Sequence, residues 1–302
     1  MHFIPVPTPL DELNNPLFDE HKVKVFVKRF DLLHPYISGN KWWKLKYNFI
    51  EARERNNDTI ITFGGAYSNH IAAVACLGKD YGWKIIGIIR GEEHLPLNPV
   101  LHFAKGCGMK LHYIDRETYR LKTTDEFLYF LSKQFGDFYL IPEGGANALG
   151  VRGCTEMIYE IGIDFDYVCC DCGTGTTLAG LALSLNENQQ AIGIPVLKGA
   201  EFLEGKIKEL EHSYVNSYHQ GAINNNVNLF YDYHFGGFAK STDELDKFVE
   251  NFNQSHSIKL EPVYSGKLFY ATFDLIRKGY FKESSTIIIL HTGGVLSFPP
   301  NL

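Results

Sequence analysis

Asp171-Cys172-Gly173-Thr174-Gly175-Thr176-Thr177-Leu178-Ala179-Gly180 is the stretch on which the reading of the fold turns. It follows a strand-like run over residues 166–172 and leads into a small-residue helix expected over 177–186. Glycines in such a turn let backbone amides converge on an anion, and the helix start adds its dipole. The hydroxyls of Thr174, Thr176 and Thr177 would add donors, which suits a compact phosphate monoester. The Lys-Ser/Thr ending of a P-loop is absent, and the glycine spacing is not that of a dinucleotide fingerprint. The competing reading is a glycine-rich βα turn with no ligand.

Outward from this turn the chain keeps a βα rhythm. Strands are expected at 59–63, 84–90, 110–114, 138–141, 191–196 and 286–290, with helices between most of them. Strands that alternate with helices argue for parallel sheets covered by helices. Before this region, Val23–Arg29 alternates as a strand does, and Lys44–Arg55 has helical spacing, with Leu45, Phe49 and Ala52 on one face. Residues 1–22, with several prolines, read as irregular. Residues 211–229, rich in Asn, His and Ser, read as loop with a short strand near 229–231. Helices are expected at 241–253 and 266–278.

The chain has 302 residues, 45% of them hydrophobic and 21% charged, as in ordinary globular proteins, and is long enough for two domains. A formal charge of −6 gives no electrostatic case for nucleic acid. No apolar run reaches membrane-spanning length and Met1–Leu13 lacks the cationic start and apolar core of a secretory signal, so a cytoplasmic protein is expected. Its six cysteines include one C-x-x-C pair, Cys169 and Cys172, without a second pair at ligand spacing; reduced, buried thiols are expected, and no metal.

Other stretches carry chemistry. Lys41 lies in Ser38-Gly39-Asn40-Lys41-Trp42-Trp43-Lys44-Leu45, behind a flexible turn and ahead of two tryptophans that could shield it. A lysine is nucleophilic when neutral, hence when desolvated or set beside other cations, and Lys44 and Lys46 are near in sequence. The plain alternative is an exposed lysine at the start of an amphipathic helix capped by Asn40. Gly64-Gly65-Ala66-Tyr67-Ser68-Asn69-His70 sets polar side chains at a strand end, where α/β folds bind ligands, although Ser68 could equally be a helix cap. Glu261-Pro262-Val263-Tyr264-Ser265-Gly266-Lys267 and His291-Thr292-Gly293-Gly294 are each compatible with ordinary turns.

Taken together and in order, these stretches, with Lys28-Arg29-Phe30-Asp31-Leu32-Leu33 and Glu143-Gly144-Gly145 followed by Asn147, resemble the D-cysteine desulfhydrase and 1-aminocyclopropane-1-carboxylate (ACC) deaminase family over most of the chain. The resemblance implies an α/β enzyme of pyridoxal-phosphate (PLP) fold type II. Two open, twisted, mostly parallel sheets are flanked by helices, and a small domain (53–142) is inserted in a large cofactor-binding domain (1–52 and 143–302). It implies that Lys41 carries pyridoxal 5′-phosphate as a Schiff base and later moves the Cα proton. Asn69 would bond the cofactor's 3′-oxygen, and the turn Gly173, Thr174, Gly175, Thr176 and Thr177 would hold its phosphate. Thr292 would meet the pyridine nitrogen, while Ser68 and Tyr264 face an amino-acid substrate. A homodimer is also implied.

Departures from the family pattern bear on the substrate. ACC deaminases of this kind have a glutamate after the tyrosine equivalent to Tyr264; here it is Ser265. The intact His291-Thr292-Gly293-Gly294 ending resembles the desulfhydrases, and Phe238 stands where relatives often have tyrosine. A neutral Thr292 would leave the pyridine nitrogen largely unprotonated, a weaker electron sink suited to expelling a good leaving group. The expectation is therefore β-elimination from D-cysteine or a similar amino acid, with ACC deaminase as the alternative. A non-catalytic ligand-binding relative is the alternative from another class.

Overall fold

A computed structural model describes residues 7–37, 39–219, 223 and 226–294. In chain order the elements are β1 (Leu10–Leu13), α1 (Pro16–Glu20), β2 (Lys24–Lys28), α2 (Asn40–Glu54), β3 (Thr59–Gly65), α3 (Asn69–Tyr81), β4 (Lys84–Arg90), α4 (Pro99–Gly106), β5 (Lys110–Ile114), α5 (Arg116–Tyr119), α6 (Asp125–Phe135) and β6 (Tyr139–Ile141). There follow α7 (Ala148–Thr155), β7 (Tyr167–Cys172), α8 (Thr176–Ala182), β8 (Gln190–Pro195), α9 (Phe202–Tyr218), β9 (Val227–Leu229), α10 (Asp243–Ser255), α11 (Ser265–Arg277) and β10 (Thr286–Leu290).

The strands form two sheets, as expected for this fold class. The six-stranded sheet has the order β1-β2-β10-β7-β8-β9, with only the β1–β2 pair antiparallel. The four-stranded sheet, β5-β4-β3-β6, is parallel throughout. Parallel strands covered on both faces read as continuous apolar runs, and β10 is such a run. Ile288 and Leu290 join the core shared with α2, α3, α7 and α8, while Ile287 and Ile289 join the core under α10 and α11. A third, smaller core under α6 includes Phe63, Ile88, Phe127 and Leu131.

Helices α2, α7 and α8 approach closely because glycines line the seam. A Cβ at Gly153 would lie 1.7 Å from the Trp43 carbonyl oxygen, and one at Gly180 would lie 2.4 Å from Cys154 Cβ. Asn147 caps α7 through Gly150 N–H at 2.8 Å and exchanges amide hydrogen bonds with Asn48 of α2. This seam fixes α2, and with it Lys41, against the sheet.

Three expectations need correction. Residues 7–22 are not irregular: β1 pairs with β2, and Asn15 caps α1 through Leu17 N–H with Pro16 in the first turn, where a missing N–H costs nothing. Residues 211–218 are helix rather than loop, because Leu203, Ile207, Leu210 and Tyr214 continue one buried stripe through the polar composition. Asn40 is not the cap of α2; Gly39 occupies that position and the helix begins at Asn40. Ser38, part of the Lys41 motif, lies outside the described residues. All six cysteines are buried and unpaired, as expected. Among the described residues no helix is long and apolar enough to cross a membrane.

Candidate active site

Lys41 sits on the first turn of α2. Burial, and then the charge of Lys44, lower its pKa to about 7, against the opposing pull of Asp171 and Cys154. Its amine donates to Asn40 Oδ1 at 2.5 Å, and Asn40 Nδ2 donates to Thr177 Oγ1 at 2.8 Å. The lysine and the glycine-rich turn are therefore tied together by one short chain of hydrogen bonds. Lys46 does not join them: it pairs with Glu156, as does the Tyr47 hydroxyl.

The turn after β7 starts α8 with Gly175 in the left-handed region at φ 76°. Thr174 and Thr176 share a hydrogen bond at 3.0 Å, and Thr176 and Thr177 are buried. Gly144 packs on this turn, since a Cβ there would be 2.8 Å from Thr174 Cγ2. Gly173 is open, with only Tyr264 Cε1, at 3.9 Å, near where a Cβ would be.

The end of β10 closes the other side. A Cβ on Gly39 would lie 1.6 Å from the Thr292 carbonyl oxygen, so the Lys41 turn lies directly on the chain at Thr292. His291 is fully buried; its Nε2–H reaches the Lys259 carbonyl at 2.8 Å and its Nδ1 accepts from Gly293 N–H at 3.3 Å. That holds the turn in which Thr292 Oγ1 donates to Asp171 Oδ1 at 2.5 Å.

Tyr264 stands before α11. Its phenol is pushed up by burial, then by Asp171, Glu261 and Glu143, so it remains a proton donor at neutral pH. Phe238 meets the Tyr264 ring edge-on at 5.8 Å, and Lys267 Nζ fastens the neighbouring Gly237 carbonyl at 2.8 Å. Ser265 is buried, and its hydroxyl accepts from Glu261 N–H at 2.9 Å. The Glu261 carboxylate is committed to the amides of Val263, Tyr264 and Ser265.

Ser68 and Asn69 come from the other sheet, at the end of β3. Ser68 occupies the cap position of α3, yet its side chain makes no capping bond, and Asn69 opens the helix half-buried. The neighbouring His70 feels the charge of the lysine. Burial, then Lys41 and Lys44, lower its pKa to about 3, so the ring is neutral. Thr62 Oγ1 gives its proton to the Ile141 carbonyl at 2.9 Å and so accepts from His70 Nε2–H at 2.8 Å, which leaves Nδ1 a buried lone pair without a partner.

Sequence reasoning missed Asp171, Asn40 and His70 as site groups. The signal for Asp171 was available: a lone carboxylate inside a strand whose six residues are all buried. Elsewhere, His34, Cys76 and Asp80 bring ligand-type atoms within 4.8 Å of one another. His34 Nδ1, however, accepts from the Tyr36 and Ile37 amides at 3.1 Å, which leaves the proton on Nε2 and makes the ring a donor rather than a ligand.

The residues fit a carbonyl-bearing phosphate monoester with a heteroaromatic ring. They supply a lysine amine near neutrality, an uncrowded glycine–threonine turn and a buried hydroxyl–carboxylate pair. The sequence model of a family described as "Pyridoxal-phosphate dependent enzyme" matches residues 3–293. A protein of Pyrococcus horikoshii, provisionally named a 1-aminocyclopropane-1-carboxylate deaminase, is 32% identical over 98% of this chain and 91% of its own. The D-cysteine desulfhydrase of Klebsiella pneumoniae is 28% identical over 100% of this chain and 97% of its own. The crystal structure of an ACC deaminase homologue superposes with a TM-score of 0.86 at 33% identity, covering 97% of this chain and 91% of the other.

Proposed function

The chain belongs to the pyridoxal-phosphate-dependent enzymes, and from that premise we propose that it is an amino-acid lyase of the D-cysteine desulfhydrase type. The overall reaction takes D-cysteine and water to pyruvate, ammonia and hydrogen sulfide. The observation that carries this reading is Lys41, an amine held near neutrality and hydrogen-bonded through Asn40 to the glycine–threonine turn. In this reading Lys41 binds pyridoxal phosphate, the 173–177 turn takes its phosphate, Asn69 its 3′-oxygen and Thr292 its ring nitrogen. The boundaries that go with it are 53–142 for a small inserted domain and 1–52 with 143–302 for the large one, supported by sheets drawn from separate parts of the chain. A cytoplasmic homodimer completes the reading, and the six unpaired thiols suit a reducing compartment.

When bound, the cofactor supplies an electron-withdrawing ring that stabilises negative charge at the substrate's Cα. The protein's own groups do the rest. Lys41 Nζ is poised to accept the Cα proton, because burial and the charge of Lys44 bring its pKa down to about 7, where the neutral form is available. Tyr264 keeps its phenolic proton and can place it on the departing sulfur. Ser68, with its hydroxyl unspent on capping, orients the substrate. Phe238, packed against Tyr264, narrows the cleft to water.

ACC deaminase is the second reading, supported by the names of two relatives. The ACC ring carbon carries no Cα proton, so ring opening asks for an extra acid or nucleophile. The position after Tyr264 supplies none, since the Ser265 hydroxyl is buried against Glu261. Catalytic efficiency on a panel of D- and L-amino acids plus ACC, read as keto acid and ammonia, decides between them. D-cysteine is expected to exceed ACC. A tenfold preference for ACC, about 1.4 kcal/mol in transition-state binding, would install the second reading. A purified protein that neither binds nor is coloured by pyridoxal phosphate would support a non-catalytic relative instead.

The phosphate assignment has its own test. Thr176→Val and Thr177→Val remove charge-assisted contacts worth roughly 1.5–3 kcal/mol each, about one to two decades in cofactor affinity. Absorbance titration of the apoprotein measures it, and unchanged affinity in both variants would move the phosphate elsewhere.

A further inference from the structure

Asp171 is 6% exposed, at the end of a strand buried along its whole length. Among the described residues it forms no salt bridge, and its one side-chain hydrogen bond is the hydroxyl of Thr292, itself 7% exposed. A buried carboxylate offers about four acceptor sites and is costly to leave with a single neutral donor. It acts electrostatically on Lys41, Tyr264 and Glu261. The site is thus built around a buried carboxylate whose acceptor sites the chain itself only partly fills.

A threonine hydroxyl has one proton. With that proton given to Asp171 at 2.5 Å, Thr292 Oγ1 has only lone pairs left to offer the cleft. Whatever atom lies against it must then be a donor. Resting on the reading that Thr292 faces the cofactor's ring nitrogen, we propose that Asp171 is a positioning residue: by holding Thr292's proton it turns the hydroxyl into an acceptor and keeps that nitrogen protonated. This reverses the expectation drawn from Thr292 alone, in which a neutral hydroxyl donates to an unprotonated ring. The pair acts as a carboxylate relayed through a hydroxyl, and a protonated ring is the stronger electron sink. The proposed activity deepens accordingly, because amino acids with poorer β-leaving groups than sulfide, such as β-hydroxy amino acids, come within reach.

The test is the ¹⁵N resonance of ring-labelled pyridoxal phosphate bound to the protein, measured without substrate in wild type, Asp171→Ala and Thr292→Val. Wild type is expected at the pyridinium position. Asp171→Ala is expected downfield at the neutral pyridine position, because the freed hydroxyl can donate to the ring. Should Asp171→Ala fail to load, Asp171→Leu, which fills the space without an acceptor, is read in the same way. A neutral nitrogen in wild type, or an Asp171 variant matching wild type, overturns the role of Asp171; a shift in Thr292→Val then leaves Thr292 beside the nitrogen. Coincident signals in all three proteins show that Thr292 does not face the nitrogen, and the proposal falls with that reading.

Discussion

Lys41→Ala is expected to lose turnover by roughly 10²–10⁴-fold, the span of general acid–base catalysis alone, while still taking up cofactor weakly. Among the described residues no other lysine combines its place with its state. Lys44 is buried one helical turn further on, and Lys46 is committed to Glu156. The pH dependence follows from the lowered pKa of about 7. The amine attacks only when neutral, so the rate at which apoprotein takes up pyridoxal phosphate should rise with pH below about 7 and level off above it. An unperturbed lysine would still be rising at pH 9. Borohydride reduction of the loaded protein followed by peptide mapping provides the check: a label on Lys44 or Lys46 ends the assignment.

The largest effect on stability is expected at Gly39→Ala. Gly39 has φ 60° and ψ −136°, a conformation essentially reserved for glycine, and its absent Cβ would overlap the Thr292 carbonyl at 1.6 Å. Strain and overpacking together should cost roughly 3–5 kcal/mol, a large part of an ordinary domain's stability. Gly82→Ala is the control. It has φ 73° but nothing within 4 Å of its would-be Cβ, so only conformational strain of about 1–2 kcal/mol is expected. Urea midpoints separate the two, and equal losses would mean that the 39–292 contact is looser than described. In Gly39→Ala the residual folded protein should also bind cofactor poorly, because the same contact aligns Lys41 with Thr292.

Most of the scaffold was legible because parallel strands are continuous apolar runs and the helices between them keep a 3.6-residue stripe. Thr286–Leu290 could hardly be anything else. The polar end of α9 was not legible, since its buried stripe is diluted by Asn, His and Ser at every exposed position. Of the site, the glycine turn and Lys41 were visible as departures from local pattern. Asp171 was hidden by its neighbours: it sits in the quoted turn, but its meaning lies 121 residues away at Thr292. Likewise Ser265 reads from the sequence only as a serine in place of glutamate after Tyr264, and only its bond to Glu261 N–H shows its hydroxyl to be spent.

The glycine seam has a consequence for the order of folding. Helix α7 has eight residues, two of them glycine, too short and too poor in helix formers to persist alone. It becomes a helix only against α2, whose backbone Gly153 lets in, and α8, whose own Gly180 lets α7 in. The four-stranded sheet, by contrast, draws all its strands from residues 59–141 and can pair as soon as that segment has left the ribosome. Helix α2, made first, must wait for a partner about a hundred residues downstream, and loop closure of that length is slow. The cradle for Lys41 is therefore among the last parts of the chain to assemble, and a nascent polypeptide stalled before Ala182 would hold a formed sheet but no place for the cofactor.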